Sequence, residues 1–273
     1  LNLIFVLVEA AAGFWYDSLA LLSDAGHNLS DVISLVLALL AFRMAKVKPN
    51  SRYTYGYKKS TVLVSLLNAI ILLVAVGIIL AESIEKLRNP QPIAGGVIAW
   101  VAGVGILINA FTAFLFLKDK ERDLNIKGAY LHLMADALVS VGVVISGVII
   151  SYTHWYIIDP IIGIAIAIVI LVSTWNLLRD SLRLSLDGVP AGISAEKIRK
   201  LLLQVDGVRE IHHLHIWALS TTQNALTAHV VVASLEDGEA VKNRIKEILS
   251  EEHIPHATLE LETAAECCTD RTD

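Results

Sequence analysis

The sequence contains little charge. Asp, Glu, Lys and Arg make up only 18% of its 273 residues, whereas 55% are hydrophobic and the mean hydropathy is +0.62. In an ordinary soluble domain about a quarter of the residues are charged. A water-soluble globule of this composition would expose more apolar surface than a monomer tolerates, so a single soluble domain is excluded.

An excess of basic residues is also missing. The 22 Lys and Arg residues are outnumbered by 27 Asp and Glu residues, which gives a net charge of −5. The polar last third contains no basic cluster. Nucleic-acid binding is therefore excluded as the main function.

The charge that is present is distributed unevenly. The last 85 residues hold 22 of the 49 charged side chains, and the first 188 residues hold the other 27. This contrast predicts a membrane domain at residues 1–183, a linker at 184–192 and a cytoplasmic domain at 193–262. Residues 263–273 are predicted to form a flexible tail that carries both cysteines.

Long runs without charge predict membrane-spanning helices, because a helix needs about 20 apolar residues to cross the hydrocarbon core. Six spans are predicted, at residues 1–16, 18–42, 60–81, 93–117, 128–152 and 160–178. The chain opens without Met, and we expect its first span to lack its beginning. The predicted protein is thus a polytopic α-helical membrane protein with six transmembrane helices.

Basic residues between these spans predict the orientation. Twelve Lys and Arg residues follow the second, fourth and sixth spans, and two lie in the other connections. Because basic loops stay on the cytoplasmic side, both termini are expected in the cytoplasm and the protein in the inner (plasma) membrane.

The polar last third has a different pattern. Amphipathic stretches at residues 194–204 and 238–251 predict helices, and alternating stretches at 208–219, 225–233 and 257–262 predict strands. The order αββαβ predicts a C-terminal cytoplasmic α+β domain with a ferredoxin-like two-layer arrangement.

Two predicted spans carry the same ionisable pair. His27 and Asp31 are four residues apart, and so are His132 and Asp136. Four residues make about one helical turn, so each pair shares a helix face. Two imidazoles and two carboxylates form a tetrahedral ligand set that suits Zn²⁺, and their charge balances the ion.

Other interpretations of these pairs exist. The groups could form hydrogen bonds between helices, although packing alone needs only small or uncharged polar residues. A zinc protease would require His-Glu-x-x-His, which does not occur, and no Ser or Cys nucleophile has a His partner in the spans. We therefore expect a metal-binding protein rather than an enzyme. Asp24 shares the face of His27 and is a candidate for lining an access path.

These motifs resemble those of the cation diffusion facilitator family, in particular its bacterial zinc/cadmium/cobalt exporters. The resemblance rests on the strings SLALLSDAGHNLSD at 18–31, RYTYGYKK at 52–59, GAYLHLMAD at 128–136, DP at 159–160 and HHLHIW at 212–217. It implies a homodimer that exchanges Zn²⁺ for protons across the lipid bilayer. It also places His27, Asp31, His132 and Asp136 at the transport site.

The resemblance extends to the cytoplasmic domain, where it implies that His212, His229 and Glu262 lie near metal sites at the dimer interface. Four further residues of this region are candidate ligands: His215, His256, Cys267 and Cys268. Strand alternation predicts that His213 and His215 share one face and His212 the other. Incidental surface histidines are the alternative interpretation.

The family also implies an interlocking ion pair, here between Lys59 and Asp187. An ordinary pair of surface charges is the alternative. The leading hypothesis is therefore proton-coupled export of Zn²⁺, which would also serve as a regulatory ion in the cytoplasmic domain. The alternatives are a membrane-anchored metal sensor or scaffold without transport, and an exporter with Cd²⁺, Co²⁺ or Fe²⁺ as its main substrate.

Overall fold

A computed structural model of the chain describes residues 2–15, 29, 32, 35–89, 95–117, 124–153, 155 and 157–263. The chain divides into two compact units. The first comprises Leu1–Met44 and Leu63–Arg179, and the second comprises Ala45–Val62 and Asp180–Asp273. Residues 45–62, which the sequence assigns to the membrane domain, thus belong to the second unit.

Long apolar helices build the first unit and overlap each of the predicted spans. They are α1 (Asn2–Trp15), α2 (Leu35–Ala45), α3 (Ser60–Arg88), α4 (Gly95–Phe116), α5 (Leu124–Thr153) and α6 (Ile158–Ser185). Pro160 lies in the first turn of α6, where a helix tolerates proline because no intrahelical hydrogen bond is lost. Among the described residues, α3 is the one helix both long and apolar enough to cross a membrane.

Small side chains bring α3, α5 and α6 together. Val76 of α3, Ala135 of α5 and Ala167 of α6 are buried in one cluster. Leu177 of α6 packs in a second cluster, and a Cβ on Gly128 of α5 would lie 3.4 Å from it. Alanine and glycine at such contacts let helix backbones approach closely.

The opposite helix faces are apolar and exposed. Leu107, Phe111 and Phe114 follow one another at helical spacing along α4, with 71%, 57% and 68% of their surface accessible. Leu63 and Leu67 begin a similar stripe on α3. Exposed apolar stripes of this extent are typical of a surface covered by lipid or by a partner.

The second unit contains the predicted αββαβ domain, and the structure confirms its element order. The elements are α7 (Ala195–Leu203), β1 (Val208–Ala218), β2 (Asn224–Val232), α8 (Gly238–Glu251) and β3 (His256–Thr263). Ser194 caps α7, since its side chain accepts a hydrogen bond from the Lys197 amide at 3.3 Å. The strand order is β1-β2-β3, with β1 antiparallel and β3 parallel to β2.

One face of this sheet forms the core with the two helices. Ile198 of α7 and Ile245 of α8 pack against Leu226 and Val230 of β2, and each of them is at most 1% exposed. Because side chains alternate along a strand, every second residue of β2, such as Thr227 and His229, projects from the other face, called here the outer face.

The segment before α3 adds a structured turn to the second unit. The Asn50 side chain accepts hydrogen bonds from the amides of Arg52 and Tyr53, both at 2.9 Å. Gly56 has a φ of +71°, and a Cβ there would lie 2.9 Å from the Val47 carbonyl oxygen. The turn therefore requires glycine at this position.

Candidate metal centres

One half of the predicted transport site lies on α5. Asp136 is buried with 8% exposure, and His132 precedes it by four residues on the same helix. Asp24, His27 and Asp31 lie outside the described residues. The structure thus describes the buried carboxylate of Asp136, which lies one helical turn after His132 on a helix of the first unit.

Asp136 directly follows a packed interhelical contact. Its neighbour Ala135 is buried beside Val76 of α3 and Ala167 of α6. A carboxylate at such a position costs several kcal/mol unless it faces a cavity or a partner. The burial of Asp136 thus makes it a candidate functional residue of this helix.

A second candidate centre lies on the outer face of the cytoplasmic sheet. His212, His229 and Glu262, called here the His–Glu cluster, each offer one ligand atom, and these atoms lie within 4.8 Å of one another. The three residues come from three adjacent strands. His212 pairs directly with His229, and Glu262 pairs with Val231, two residues beyond His229.

Glu262 is hydrogen-bonded to one imidazole and lies close to the other. Its Oε1 accepts a hydrogen bond from Nδ1 of His229, and its Oε2 lies 3.4 Å from Nε2 of His212. The other nitrogen of His229, Nε2, lies 3.5 Å from Oε2 of Glu260. Both nitrogens of His212 are buried and have no hydrogen bond to any residue that the structure describes.

The donor set of the His–Glu cluster fits a metal ion. Buried imidazole nitrogens normally have hydrogen-bond partners, so two orphaned nitrogens on His212 require an explanation. Two imidazoles and a carboxylate are the ligands that Zn²⁺ prefers. Glu260 would then orient His229 from the second nitrogen, as carboxylates commonly do for metal-bound histidines.

The other predicted ligands lie elsewhere. His215 is exposed and pairs with Thr227, and the ring of His256 contacts Tyr55 edge to face at 5.6 Å. Neither residue belongs to the His–Glu cluster. Cys267 and Cys268 lie outside the described residues.

The prediction that His212 and His213 project from opposite faces is wrong. Their ring centroids are 5.3 Å apart, and both rings lie beside His229. A β-bulge is the reason: His212 pairs with His229 but His215 pairs with Thr227, so β1 contains one extra residue between these two positions. Sequence alternation therefore assigned His213 to the wrong face of the sheet. It could have identified Glu260, because residues two apart on a strand share a face and Glu260 lies two residues before Glu262.

The predicted interlock residues are in contact. Nζ of Lys59 donates to Oδ1 of Asp187 at 2.5 Å and to the carbonyl oxygen of Ala218 at 3.1 Å. Thr61 adds a contact, since its Oγ1 accepts from the amide of Thr221 at 3.1 Å. Lys59 and Thr61 thus join the start of α3 to the end of β1 and the turn that follows it.

Comparison with known proteins agrees with these features. Residues 1–184 match the family described as "Cation efflux transmembrane domain", and residues 190–264 match "Cation efflux protein, cytoplasmic domain". Together with the helical unit and the His–Glu cluster, these matches define a membrane protein of metal-ion transport. The chain belongs to the cation efflux, or cation diffusion facilitator, family.

Characterised relatives cover almost the whole chain. A protein named cadmium, cobalt and zinc/H(+)-K(+) antiporter from Bacillus subtilis (strain 168) is 36% identical over 96% of this chain and 86% of its own length. Zinc transporter ZitB from Escherichia coli (strain K12) is 38% identical over 94% and 83%. Metal cation efflux system protein CzcD from Cupriavidus metallidurans is 36% identical over 95% and 83%.

Several solved structures are similar to part of this chain, and one of them represents a C-terminal domain. It is the metal-bound C-terminal domain of the CzcD transporter from Cuprividus metallidurans, 32% identical in sequence. It covers 26% of this chain and 99% of its own, with a TM-score of 0.24.

Proposed function

We propose that the protein exports divalent metal ions, chiefly Zn²⁺, from the cytoplasm in exchange for protons. The observation that carries the proposal is the buried carboxylate of Asp136, one turn after His132 on α5. An export protein needs ionisable ligands within its helices, whereas a membrane anchor for a sensor or scaffold does not.

The transport site combines two helices. His27 and Asp31 join His132 and Asp136 to give two imidazoles and two carboxylates around one ion. Two carboxylate charges neutralise one Zn²⁺, which lowers the cost of holding it in a medium of low dielectric constant. Asp24 precedes His27 by three residues, a spacing that places both on one face of a helix, and we assign Asp24 to the access path.

The helices form six membrane spans, and both termini lie in the cytoplasm. The protein resides in the inner membrane. The exposed apolar stripes of α3 and α4 support this arrangement, because they would be unstable in water. Residues 1–183 form the membrane domain, although their segment 45–62 belongs to the second compact unit. Residues 184–192 form the linker, 193–262 the cytoplasmic domain and 263–273 the tail. Two copies pair through the cytoplasmic domain, in line with the family matched by residues 190–264.

Proton exchange follows from the chemistry of the ligands. An imidazole or a carboxylate must lose its proton to bind a metal ion, so protons and metal compete for the same atoms. Alternating access exposes the site first to the cytoplasm, where Zn²⁺ binds, and then to the outside, where protons displace it. An inward proton gradient thereby drives export.

The cytoplasmic His–Glu cluster serves as a regulatory Zn²⁺ site. The orphaned nitrogens of His212 support this role, since a bound ion would supply the missing partner. The contacts of Lys59 with Asp187 and Ala218 then connect strand β1, which carries His212, to the start of α3.

The exchange mechanism is tested in inverted membrane vesicles with an acidic interior. Radioactive Zn²⁺ should accumulate inside only when the protein is present, and collapse of the pH gradient should reduce uptake to the level of vesicles without the protein. Uptake that is unaffected by collapse of the gradient would contradict proton coupling. Repeating the assay with Cd²⁺, Co²⁺ and Fe²⁺ ranks the substrates, and a larger flux of any of these would contradict Zn²⁺ as the main one.

A further inference from the structure

Three imidazole rings, not two, surround the centre of the His–Glu cluster. The centroids of His212 and His229 are 5.2 Å apart, those of His212 and His213 are 5.3 Å apart, and those of His213 and His229 are 5.1 Å apart. The rings thus form a nearly equilateral triangle on the outer face of the sheet.

This spacing matches three imidazoles bound to one tetrahedral ion. With a Zn–N bond of about 2.0–2.1 Å and a nitrogen about 1.2 Å from the ring centre, each centroid lies about 3.2 Å from the ion. Two such rings at a tetrahedral angle have centroids about 5.2 Å apart. The three observed distances lie close to this value, so the rings leave room for an ion between them once the His213 ring turns a nitrogen inwards.

The backbone is deformed to bring His213 to this position. His213 has a φ of +47°, in the left-handed region that residues with a Cβ rarely adopt. It is the extra residue of the bulge in β1, because Ile211, Leu214 and Ile216 all pack towards the core. Regular alternation would direct its side chain into the core, and the bulge redirects it to the outer face.

We infer that His213 is a fourth ligand of the cytoplasmic metal site, which then holds Zn²⁺ by three imidazoles and the Glu262 carboxylate. Its nitrogens are not among the three ligand atoms that already lie within 4.8 Å of one another, so its ring turns about its side-chain bonds when the ion binds. The inference rests on the proposed regulatory site. It adds that one protomer completes the coordination without a ligand from the second copy.

The test uses the full chain in detergent, with Asp136→Ala in the background to weaken binding at the transport site. His213→Asn removes the imidazole and keeps a residue that tolerates a left-handed backbone. His253→Asn is the matched control, because His253 also has a positive φ, +64°, and its exposed side chain lies outside the His–Glu cluster. Co²⁺ serves as the spectroscopic probe, and competition with Zn²⁺ gives the affinity.

His213→Asn should weaken Zn²⁺ binding by about tenfold or more, and it should reduce the intense visible absorption typical of four-coordinate Co²⁺. His253→Asn should change neither the Zn²⁺ affinity nor the absorption. If His213→Asn leaves the Zn²⁺ affinity and the Co²⁺ absorption unchanged while His212→Ala abolishes them, His213 is not a ligand but the regulatory site stands. If His212→Ala also leaves both unchanged, the regulatory site itself is refuted. Amide exchange of β1 in each variant shows that the strand has remained folded.

Discussion

Replacement of Glu262 by glutamine should abolish most of the stabilisation that Zn²⁺ gives to the cytoplasmic domain. Glu262 is 6% exposed, and its two oxygens reach His229 and His212. The change removes the one anionic ligand of the His–Glu cluster without changing the size of the side chain. Glu247→Gln is the control, because Glu247 lies on α8 in an exposed ion pair with Arg244.

The expected magnitude follows from mass action. At a Zn²⁺ concentration a hundredfold above the dissociation constant, binding stabilises the folded domain by about 2.7 kcal/mol. For a domain of this size each kcal/mol raises the unfolding temperature by about 4–8 °C, so we expect a rise of about 10–20 °C. If Glu262→Gln weakens Zn²⁺ binding about a hundredfold, the same Zn²⁺ concentration stabilises the folded domain by only about 0.4 kcal/mol.

Hydrogen exchange read by mass spectrometry measures this effect in the full chain. Peptides from β2 and β3 are followed over a temperature series, with and without Zn²⁺. The wild type and Glu247→Gln should both show the full rise, and Glu262→Gln should show little. A full rise in Glu262→Gln, or none in the wild type, would refute the proposed role of the His–Glu cluster.

Three further predictions concern the second unit, and each is checked by the free energy of local unfolding from amide exchange. Lys59→Met should cost about 1.5–3 kcal/mol, because it removes the hydrogen bond to Ala218 as well as the ion pair with Asp187. Asp187→Asn removes only the ion pair and should cost under about 1 kcal/mol. Equal costs for the two variants would contradict the contact with Ala218. Ile245→Ala, at a fully buried site, should cost about 2–5 kcal/mol, and Leu235→Ala, at a site 51% exposed, should stay within about 0.5 kcal/mol. Gly56→Ala should destabilise the turn by about 1–2 kcal/mol because of its positive φ, and unchanged exchange there would count against the turn geometry.

Local signals were sufficient to predict the elements of the cytoplasmic domain. Ser194 lies at the start of an amphipathic stretch, and the cap and the helix both depend on residues within one or two turns. The alternating strands were identifiable for the same reason. In the first unit the apolar runs predicted each helix, but α3 continues past residue 81 to Arg88. The charged residues after 81 end the apolar span without ending the helix, since Lys, Glu and Arg are good helix formers.

The geometry of the cytoplasmic site could not be predicted from the residues alone. His212, His229 and Glu262 are distant in sequence, and only the strand register brings their side chains together. Family resemblance, rather than spacing, suggested this group. The bulge at His213 could not be identified by alternation, because an inserted residue reverses the face of every position after it.

Export as proposed here requires that the buried carboxylate on α5 holds the transported ion. Zn²⁺ flux into proteoliposomes under a pH gradient tests it most directly, with Asp136→Asn compared with Thr174→Val. Both residues are buried in the first unit, with exposures of 8% and 1%, and both changes preserve side-chain size. We expect that Asp136→Asn abolishes Zn²⁺ flux and that Thr174→Val retains it. Wild-type flux in folded Asp136→Asn protein would contradict the role of Asp136 as a ligand of the transported ion.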